Sequence, residues 1–199
     1  MPASSGKTRL DRSGAFRILA AVTLLATGTA YGIPFLHRKP ATPHPIVNRV
    51  LRAGDAAPDF NLPTEDAVTV SLKDFRGKWL VLYFCPSDES PGCTIEAHNF
   101  QRDLPQFEKA QAVVVGASPD SPSRHKAFIT QQELTFKLVT DRKRKLAKRY
   151  GAGLRHAIML KRFIRATFLI DPQGRIARIW MAPDPRHHST EVLAALEKK

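Results

Sequence analysis

Residues 79–96 read WLVLYFCPSDESPGCTIE and carry the features that decide the fold. The first seven, Trp79–Cys85, form a continuous apolar run that is typical of a central, fully buried strand. A proline-containing loop follows. We expect a helix to begin at Ser90 or Pro91, because serine caps helix N-termini and proline suits the first helical position. This strand–loop–helix order puts Cys93 in the first turn of the helix.

The rest of the chain from residue 57 onward alternates predicted strands and helices. Strands are predicted over 68–72, 112–117, 135–139, 166–170 and 175–180, and helices from Ser90 or Pro91 to about 107, from Ser121 or Ser123 to 132, from Asp141 to 150 and over 189–197. The last two strands flank a turn at 171–174, whose Asp-Pro-Gln-Gly sequence suits a hairpin. The pattern predicts an α/β protein whose sheet is covered by helices on both faces.

Composition limits the class of protein. With 199 residues, of which 43% are hydrophobic, the chain fits one domain plus an appendage. Two cysteines are too few for a disulfide-built mini-domain or a four-cysteine zinc site. The net charge of +13 invites a nucleic-acid interpretation. However, the basic stretch 142–165 matches no known nucleic-acid-binding module, so no nucleic-acid partner is predicted.

The N-terminal residues differ from everything after them. Four basic residues lie within 1–17, and Ile18–Leu36 then runs without a charge. Such a run favours a transmembrane anchor, with a signal peptide cleaved near 28–30 as the alternative, and both place the domain outside the cytoplasm, in the periplasm of a bacterium. The predicted organisation is a basic segment over 1–17, the anchor or signal peptide over 18–36, a linker over 37–52 and a folded domain over 53–199.

The two cysteines have different predicted environments. At the start of a helix, unpaired backbone N–H groups and the helix dipole favour a thiolate, so Cys93 is a candidate nucleophile. Cys85 ends an apolar strand, where a cysteine is usually a small buried hydrophobe. Seven residues separate the two, so they do not form the CxxC dithiol of thioredoxins. His187 and His188 point in different directions and lack a third ligand, so no metal site is predicted.

At this stretch the sequence resembles the peroxiredoxins. Pro86, Ser90 and Cys93 match the family signature P-x-x-x-[TS]-x-x-C, and PGCTIEAHNFQRD resembles the Q-type branch, that of bacterioferritin comigratory protein. Further similar motifs follow in family order at 53–63 (AGDAAPDFNLP), 113–128 (VVVGASPDSPSRHKAF), 134–141 (LTFKLVTD) and 165–176 (RATFLIDPQGRI). The resemblance therefore covers about residues 50–199.

The resemblance implies a thioredoxin-like fold, with a central mixed sheet flanked by helices, here preceded by one hydrophobic N-terminal helix. It also implies thiol-dependent reduction of hydrogen peroxide and organic hydroperoxides without a cofactor. Cys93 would attack the peroxide and become a sulfenic acid. Ser90 would hydrogen-bond the peroxide or the thiolate, Pro86 would shield the thiolate from water, and Arg165 would hold both reactants. Glu96 would orient this group.

The sequence departs from the Q-type pattern at the second cysteine. The two positions that often carry a resolving cysteine hold His98 and Ile129. We therefore expect a one-cysteine enzyme regenerated by an external reductant, either thioredoxin-like or a low-molecular-weight thiol. Cys85, at a position that is commonly tyrosine, is a possible second redox cysteine, but we expect a strand end and a helix turn to unwind before it could reach Cys93.

Two other functions stay open from the sequence. One is a thioredoxin-fold disulfide exchanger, which would need two neighbouring cysteines. The other is a non-enzymatic thiol domain tethered to a membrane by the N-terminal helix. The predicted partners of the favoured function are a peroxide substrate, a thiol reductant and the membrane.

Overall fold

The computed structural model describes residues 50–152, 155–157, 160–162 and 165–198. The strands are β1 (Asn61–Pro63), β2 (Thr69–Ser71), β3 (Trp79–Phe84), β4 (Ala112–Ser118), β5 (Lys137–Thr140), β6 (Arg155–Ala157), β7 (Leu160–Arg162), β8 (Ala166–Ile170) and β9 (Ile176–Met181). The helices are α1 (Pro91–Lys109), α2 (Pro122–Gln132), α3 (Lys145–Arg149) and α4 (His188–Leu196), and a 3₁₀ turn covers Leu72–Phe75.

Five strands form the central sheet in the order β5-β4-β3-β8-β9. β3 and β4 are parallel, as are β4 and β5, whereas β8 runs antiparallel to both β3 and β9, so the sheet is mixed. At the end of β3, Phe84 pairs with Ala117 on one side and with Ala166 on the other. Cys85 follows Phe84 and Arg165 precedes Ala166. These two residues therefore lie next to each other at the same edge of the sheet.

The alternation of β3 divides the apolar core into two. Leu80, Leu82 and Phe84 pack on the face that carries α3 and the segment before β3. The residues between them, ending with Tyr83 and Cys85, pack on the face that carries α1, α2 and α4. Because successive side chains of a strand point to opposite faces, this parity turns Cys85 toward α1.

Most predicted elements are confirmed to within a few residues. The main difference is α3, which begins at Lys145 rather than directly after Asp141. The Asp141 carboxylate accepts a hydrogen bond from the backbone N–H of Ala147, in the first turn of α3, at 2.8 Å, so it caps the helix from a position before the N-cap residue. Arg144, with a left-handed φ of 53°, stands immediately before the helix. The small antiparallel pairs β1–β2 and β6–β7 were not predicted as pairs.

The hydrophobic segment predicted over 18–36 lies outside the described residues. Within the part of the chain that the structure describes, none of the helices has the length and apolar character needed to cross a membrane.

Candidate active site

The loop after β3 leads directly into the first turn of α1. Ser90 is the N-cap residue, and its carbonyl accepts the N–H groups of Cys93 at 2.9 Å and Thr94 at 3.0 Å. The Ser90 side chain makes no capping hydrogen bond, so its hydroxyl is not used by the helix. Cys93 is 2% exposed, while Pro86 and Ser90 are half-buried. The cysteine thus sits just beneath the surface at the positive end of a nineteen-residue helix.

Cys85 and Cys93 are joined by a disulfide, with 6.0 Å between their Cα atoms. The elements on both sides remain intact. The N–H of Cys85 donates to the carbonyl of Ala117 at 2.9 Å, continuing the pairing of β3 with β4, and Cys93 keeps its bond to Ser90. The expected unwinding of a strand end and a helix turn is therefore wrong: the alternation of β3 already points Cys85 at the helix.

Arg165 lies against both sulfur atoms. Its Nη2 atom is 3.6 Å from Cys93 Sγ, and its Nη1 atom is 3.7 Å from Cys85 Sγ. Nη1 also donates to Glu96 Oε2 in an ion pair, and the Arg165 side chain is 13% exposed. A guanidinium in this position can stabilise negative charge on either sulfur.

Glu96 is fully buried one helical turn after Cys93. Burial raises its pKa to about 7, and the charge and hydrogen bond of Arg165 act in the opposite direction. Its second oxygen, Oε1, has no hydrogen-bond partner among the described residues. The carboxylate therefore depends on Arg165 for compensation, and the pair fixes the guanidinium beside the sulfurs.

Gly92 is a site residue that the sequence reasoning missed. A Cβ atom at this position would lie 2.7 Å from Nη2 of Arg165. Glycine therefore leaves the space that the guanidinium occupies next to Cys93. The only signal in the sequence was a glycine inside the first turn of a helix, a place where alanine is more stable.

A second feature that the sequence reasoning missed is a pair of side chains that joins the loop between Cys85 and α1 to α2. Asp88 Oδ2 is 2.5 Å from His125 Nδ1, and both side chains are buried. The N–H of Asp88 donates to Asp120 Oδ2 at 3.0 Å. These bonds attach the loop to the N-terminal half of α2. The three-residue spacing of His125 and Phe128 is a sequence signal for one face of α2, and both side chains are buried in the structure. No comparable signal in the sequence indicates Asp88.

The predicted site residues are thus brought to one edge of the sheet. Cys93, Cys85, Arg165 and Glu96 form a contiguous group, and Pro86 and Ser90 belong to the loop beside it. Among the described residues, no group of three or more His, Cys, Asp or Glu side chains is arranged to hold a metal ion. The arrangement is a buried sulfur pair next to a fixed cation.

Comparisons with known proteins agree on one family. The AhpC/TSA family model matches residues 53–179. A Bcp protein of Helicobacter pylori is 41% identical over 149 residues, which make up 73% of this chain and 98% of that protein. Peroxiredoxin Bcp of Bacillus subtilis is 37% identical over 150 residues, covering 74% of this chain and 96% of the relative.

A solved structure confirms the thioredoxin-like fold. Bacterioferritin comigratory protein of Xanthomonas campestris, studied for its alkyl peroxide reduction activity, superposes with a TM-score of 0.69 at 32% identity. The superposition covers 74% of this chain and 98% of that one.

These relatives correct the predicted location. The domain accounts for 98% and 96% of the two bacterial proteins, which leaves no counterpart of the N-terminal segment. The prediction of a membrane-anchored domain outside the cytoplasm, with a secreted form as its alternative, is therefore wrong, and the predicted membrane partner is not supported.

The family model, the two bacterial relatives and the solved structure all point to the same family. The match extends over most of the chain at 37–41% identity. This chain therefore belongs to the AhpC/TSA family, and within it to the peroxiredoxins of the Bcp, or peroxiredoxin Q, type.

Proposed function

We propose that this chain is a thiol-dependent peroxidase that reduces hydrogen peroxide and organic hydroperoxides through Cys93. One observation carries the proposal: the sulfur of Cys93 lies at the start of α1, 3.6 Å from the guanidinium of Arg165. Both features favour a thiolate, which is the nucleophilic form of cysteine. Family membership supplies the reaction class.

In the proposed reaction the Cys93 thiolate attacks the nearer oxygen of the peroxide. The O–O bond breaks, Cys93 becomes a sulfenic acid, and the second oxygen leaves as an alkoxide or hydroxide that takes a proton from solvent. Charge moves from sulfur to the leaving oxygen during this step. Arg165, which Glu96 holds in place, and the Ser90 hydroxyl, which makes no capping bond, are the donors we assign to that charge.

Two further residues support this group. Pro86, half-buried in the loop after β3, shields the sulfur from water. Glu96 acts as a positioning residue, because its ion pair holds the Arg165 side chain in place. Neither needs to touch the peroxide for this role.

The reductant is proposed from its chemistry. The electrons that return Cys93 to the thiolate come from an external thiol, either a thioredoxin-like protein or a low-molecular-weight thiol. The similar yeast mitochondrial 1-Cys peroxiredoxin, with a TM-score of 0.66 at 25% identity, was studied for thiol resolution via glutathione/thioredoxin systems. That chemistry is compatible with a small, buried sulfur site.

A disulfide exchanger is the second candidate, because the two cysteines lie within bonding reach. Family membership argues against it, because Pro86, Ser90 and Cys93 match the peroxiredoxin signature and the relatives that match over most of the chain are named peroxiredoxins.

We also propose that the catalytic unit is the domain predicted over 53–199, to which the segments 1–17, 18–36 and 37–52 are additions. The family match over 53–179 supports this boundary. A helix over 18–36 stays a prediction from the sequence.

Stopped-flow measurement of peroxide consumption tests the proposal. Full-length chain is reduced, freed of reductant and mixed with one equivalent of hydrogen peroxide. We expect loss of one peroxide per chain, much faster than with a free thiol, and no reaction with Cys93→Ser. A wild-type rate equal to that of a free thiol would contradict it. Reduction of insulin disulfides, measured in parallel without peroxide, would favour the exchanger.

A further inference from the structure

We propose that Cys85 is the resolving cysteine, and that it closes the catalytic cycle without unfolding of the site. This proposal rests on the proposed peroxidase function and adds the identity of the second sulfur. It replaces the expected one-cysteine cycle with an intramolecular one.

The Cys85–Cys93 disulfide forms while the end of β3 and the first turn of α1 stay folded. Disulfides span Cα–Cα distances of about 4.4–6.8 Å, and Cys85 and Cys93 are 6.0 Å apart. The hydrogen bonds that continue β3 and begin α1 are both present in the bonded state. The sulfenic acid therefore needs no helix unwinding to meet its partner.

The two positions that often carry a resolving cysteine in the Q-type branch hold no sulfur in this chain. His98 is exposed on α1, and Ile129 lies near the end of α2. The chain has two cysteines in all. Resolution within one chain can therefore come from Cys85 alone.

The positive charge of Arg165 lies within reach of both sulfur atoms. Arg165 stands 3.7 Å from the sulfur of Cys85 as well as 3.6 Å from that of Cys93. One guanidinium can thus stabilise the attacking Cys85 thiolate in the second step and the Cys93 thiolate in the first. In the second step Cys85 attacks the sulfenic sulfur, the S–O bond breaks, and the hydroxide leaves with the thiol proton as water.

The exposure of the two cysteines indicates which sulfur the reductant attacks. Cys85 is 7% exposed, whereas Cys93 is 2% exposed. A reducing thiolate therefore reaches Cys85 first. Cys93 then leaves as a thiolate, stabilised by Arg165 and the helix start, and low-pKa thiols are the better leaving groups. A second thiol releases the mixed disulfide on Cys85 as an external disulfide.

Mass spectrometry of the peroxide-treated chain tests the resolving role. Reduced full-length protein receives one equivalent of hydrogen peroxide, and remaining thiols are then blocked under denaturing conditions. We expect wild type to lose two hydrogens, to keep no free thiol and to give a Cys85–Cys93 crosslink within one chain. Cys85→Ser is expected to consume peroxide but to stop at a sulfenic acid that dimedone traps.

Overoxidation provides a quantitative readout. Because Cys85 removes the sulfenic acid rapidly, wild type should need about tenfold more peroxide than Cys85→Ser to reach the sulfinic acid. Cys85→Ala, an apolar replacement at this buried position, serves as the second variant if the serine does not fold. Equal sensitivity of wild type and the folded variant would overturn the proposal.

Other outcomes are also decisive. A wild-type sulfenic acid that dimedone traps fully, or a crosslink found only between chains, would overturn the resolving role. Both leave the peroxidase function intact, since Cys93 still consumes peroxide. Absence of consumption by wild type would instead remove the proposed function itself.

The site of reductant attack is tested separately. Oxidised wild type is treated with one equivalent of glutathione and quenched with acid. Cleavage at Asp88 or Glu89 separates the two cysteines onto different peptides. We expect the glutathione adduct on Cys85, and an adduct on Cys93 would overturn attack on Cys85.

Discussion

Two buried acid–base pairs flank the loop that joins β3 to α1, and they differ in what they touch. Glu96 pairs with Arg165, whose guanidinium contacts both sulfurs. Asp88 pairs with His125 and ties the loop to α2. Burying ionisable groups rarely adds stability by itself, because desolvation offsets the attraction. We infer from this difference that the Glu96–Arg165 pair places a charge for the proposed reaction, whereas the Asp88–His125 pair fixes the shape of the loop.

The largest expected effect is on the pair that faces the sulfurs. Arg165→Met removes the cation while keeping a long side chain. Loss of one preorganised donor typically costs about 10²–10³ in rate. We expect a fall of that size in single-turnover peroxide consumption by stopped flow. Arg175→Met, at the exposed hairpin turn, is the matched control and should retain the wild-type rate.

The substitution Gly92→Ala tests the contact between Arg165 and Cys93 from the side of α1. The added methyl group of Gly92→Ala would displace Nη2 of Arg165 from its position near Cys93. A misplacement below 1 Å should lower the rate on the order of tenfold. Helix stability should stay the same or rise, since alanine is the better helix former. A wild-type rate in this variant would contradict the assigned role of Arg165.

The next effect concerns pH and Glu96. Its pKa is about 7 in the folded chain against 4.5 as the reference value, so the folded state keeps a proton that the unfolded state has lost. Stability from this group is therefore present at low pH and falls as pH rises between those values, by on the order of 3 kcal/mol. Glu96→Gln should remove this slope and reduce the peroxide rate less than Arg165→Met does.

Urea unfolding of the reduced chain at several pH values between 5 and 8 measures the slope. Glu89→Gln, at an exposed carboxylate, is the control and should keep the wild-type dependence. A Glu96→Gln curve with the same slope as wild type would show that another group is responsible.

The smallest expected effect on rate is at the loop pair. His125→Leu leaves the buried Asp88 carboxyl group without its hydrogen-bond partner, and an unsatisfied buried polar group costs about 1–3 kcal/mol of unfolding free energy. The single-turnover rate of the folded fraction should change little, because Arg165 and Cys93 keep their contact. His187→Leu, at a side chain that is 76% exposed, is the control. A rate loss comparable to Arg165→Met would erase the distinction between the two pairs.

Local patterns in the sequence predicted much of the fold. The apolar run of β3, the Ser-Pro start of α1 and the Asp-Pro-Gln-Gly turn each depend on neighbouring residues. Cys93 could be identified for the same reason, since its environment is set by the helix that contains it. The role of Arg165 needed the family resemblance, because it meets the sulfurs only after β8 pairs with β3.

The remaining site features depend on tertiary contacts. A strand that is apolar on every residue gives no sign of which face each side chain takes, so the direction of Cys85 stayed hidden. The partners Asp88 and His125 lie 37 residues apart, and each looks ordinary alone. The space left by Gly92 becomes meaningful only when the guanidinium fills it.

The cysteines are separated by eight positions, so their crosslink closes a very short ring. In the chain-entropy view such a ring restrains the unfolded chain only modestly, by roughly 2–3 kcal/mol. For a chain of this size that corresponds to about 4–12 °C in melting temperature. Thermal denaturation thus becomes a gauge of redox state: a mixed population of oxidised and reduced molecules would melt in two resolvable steps.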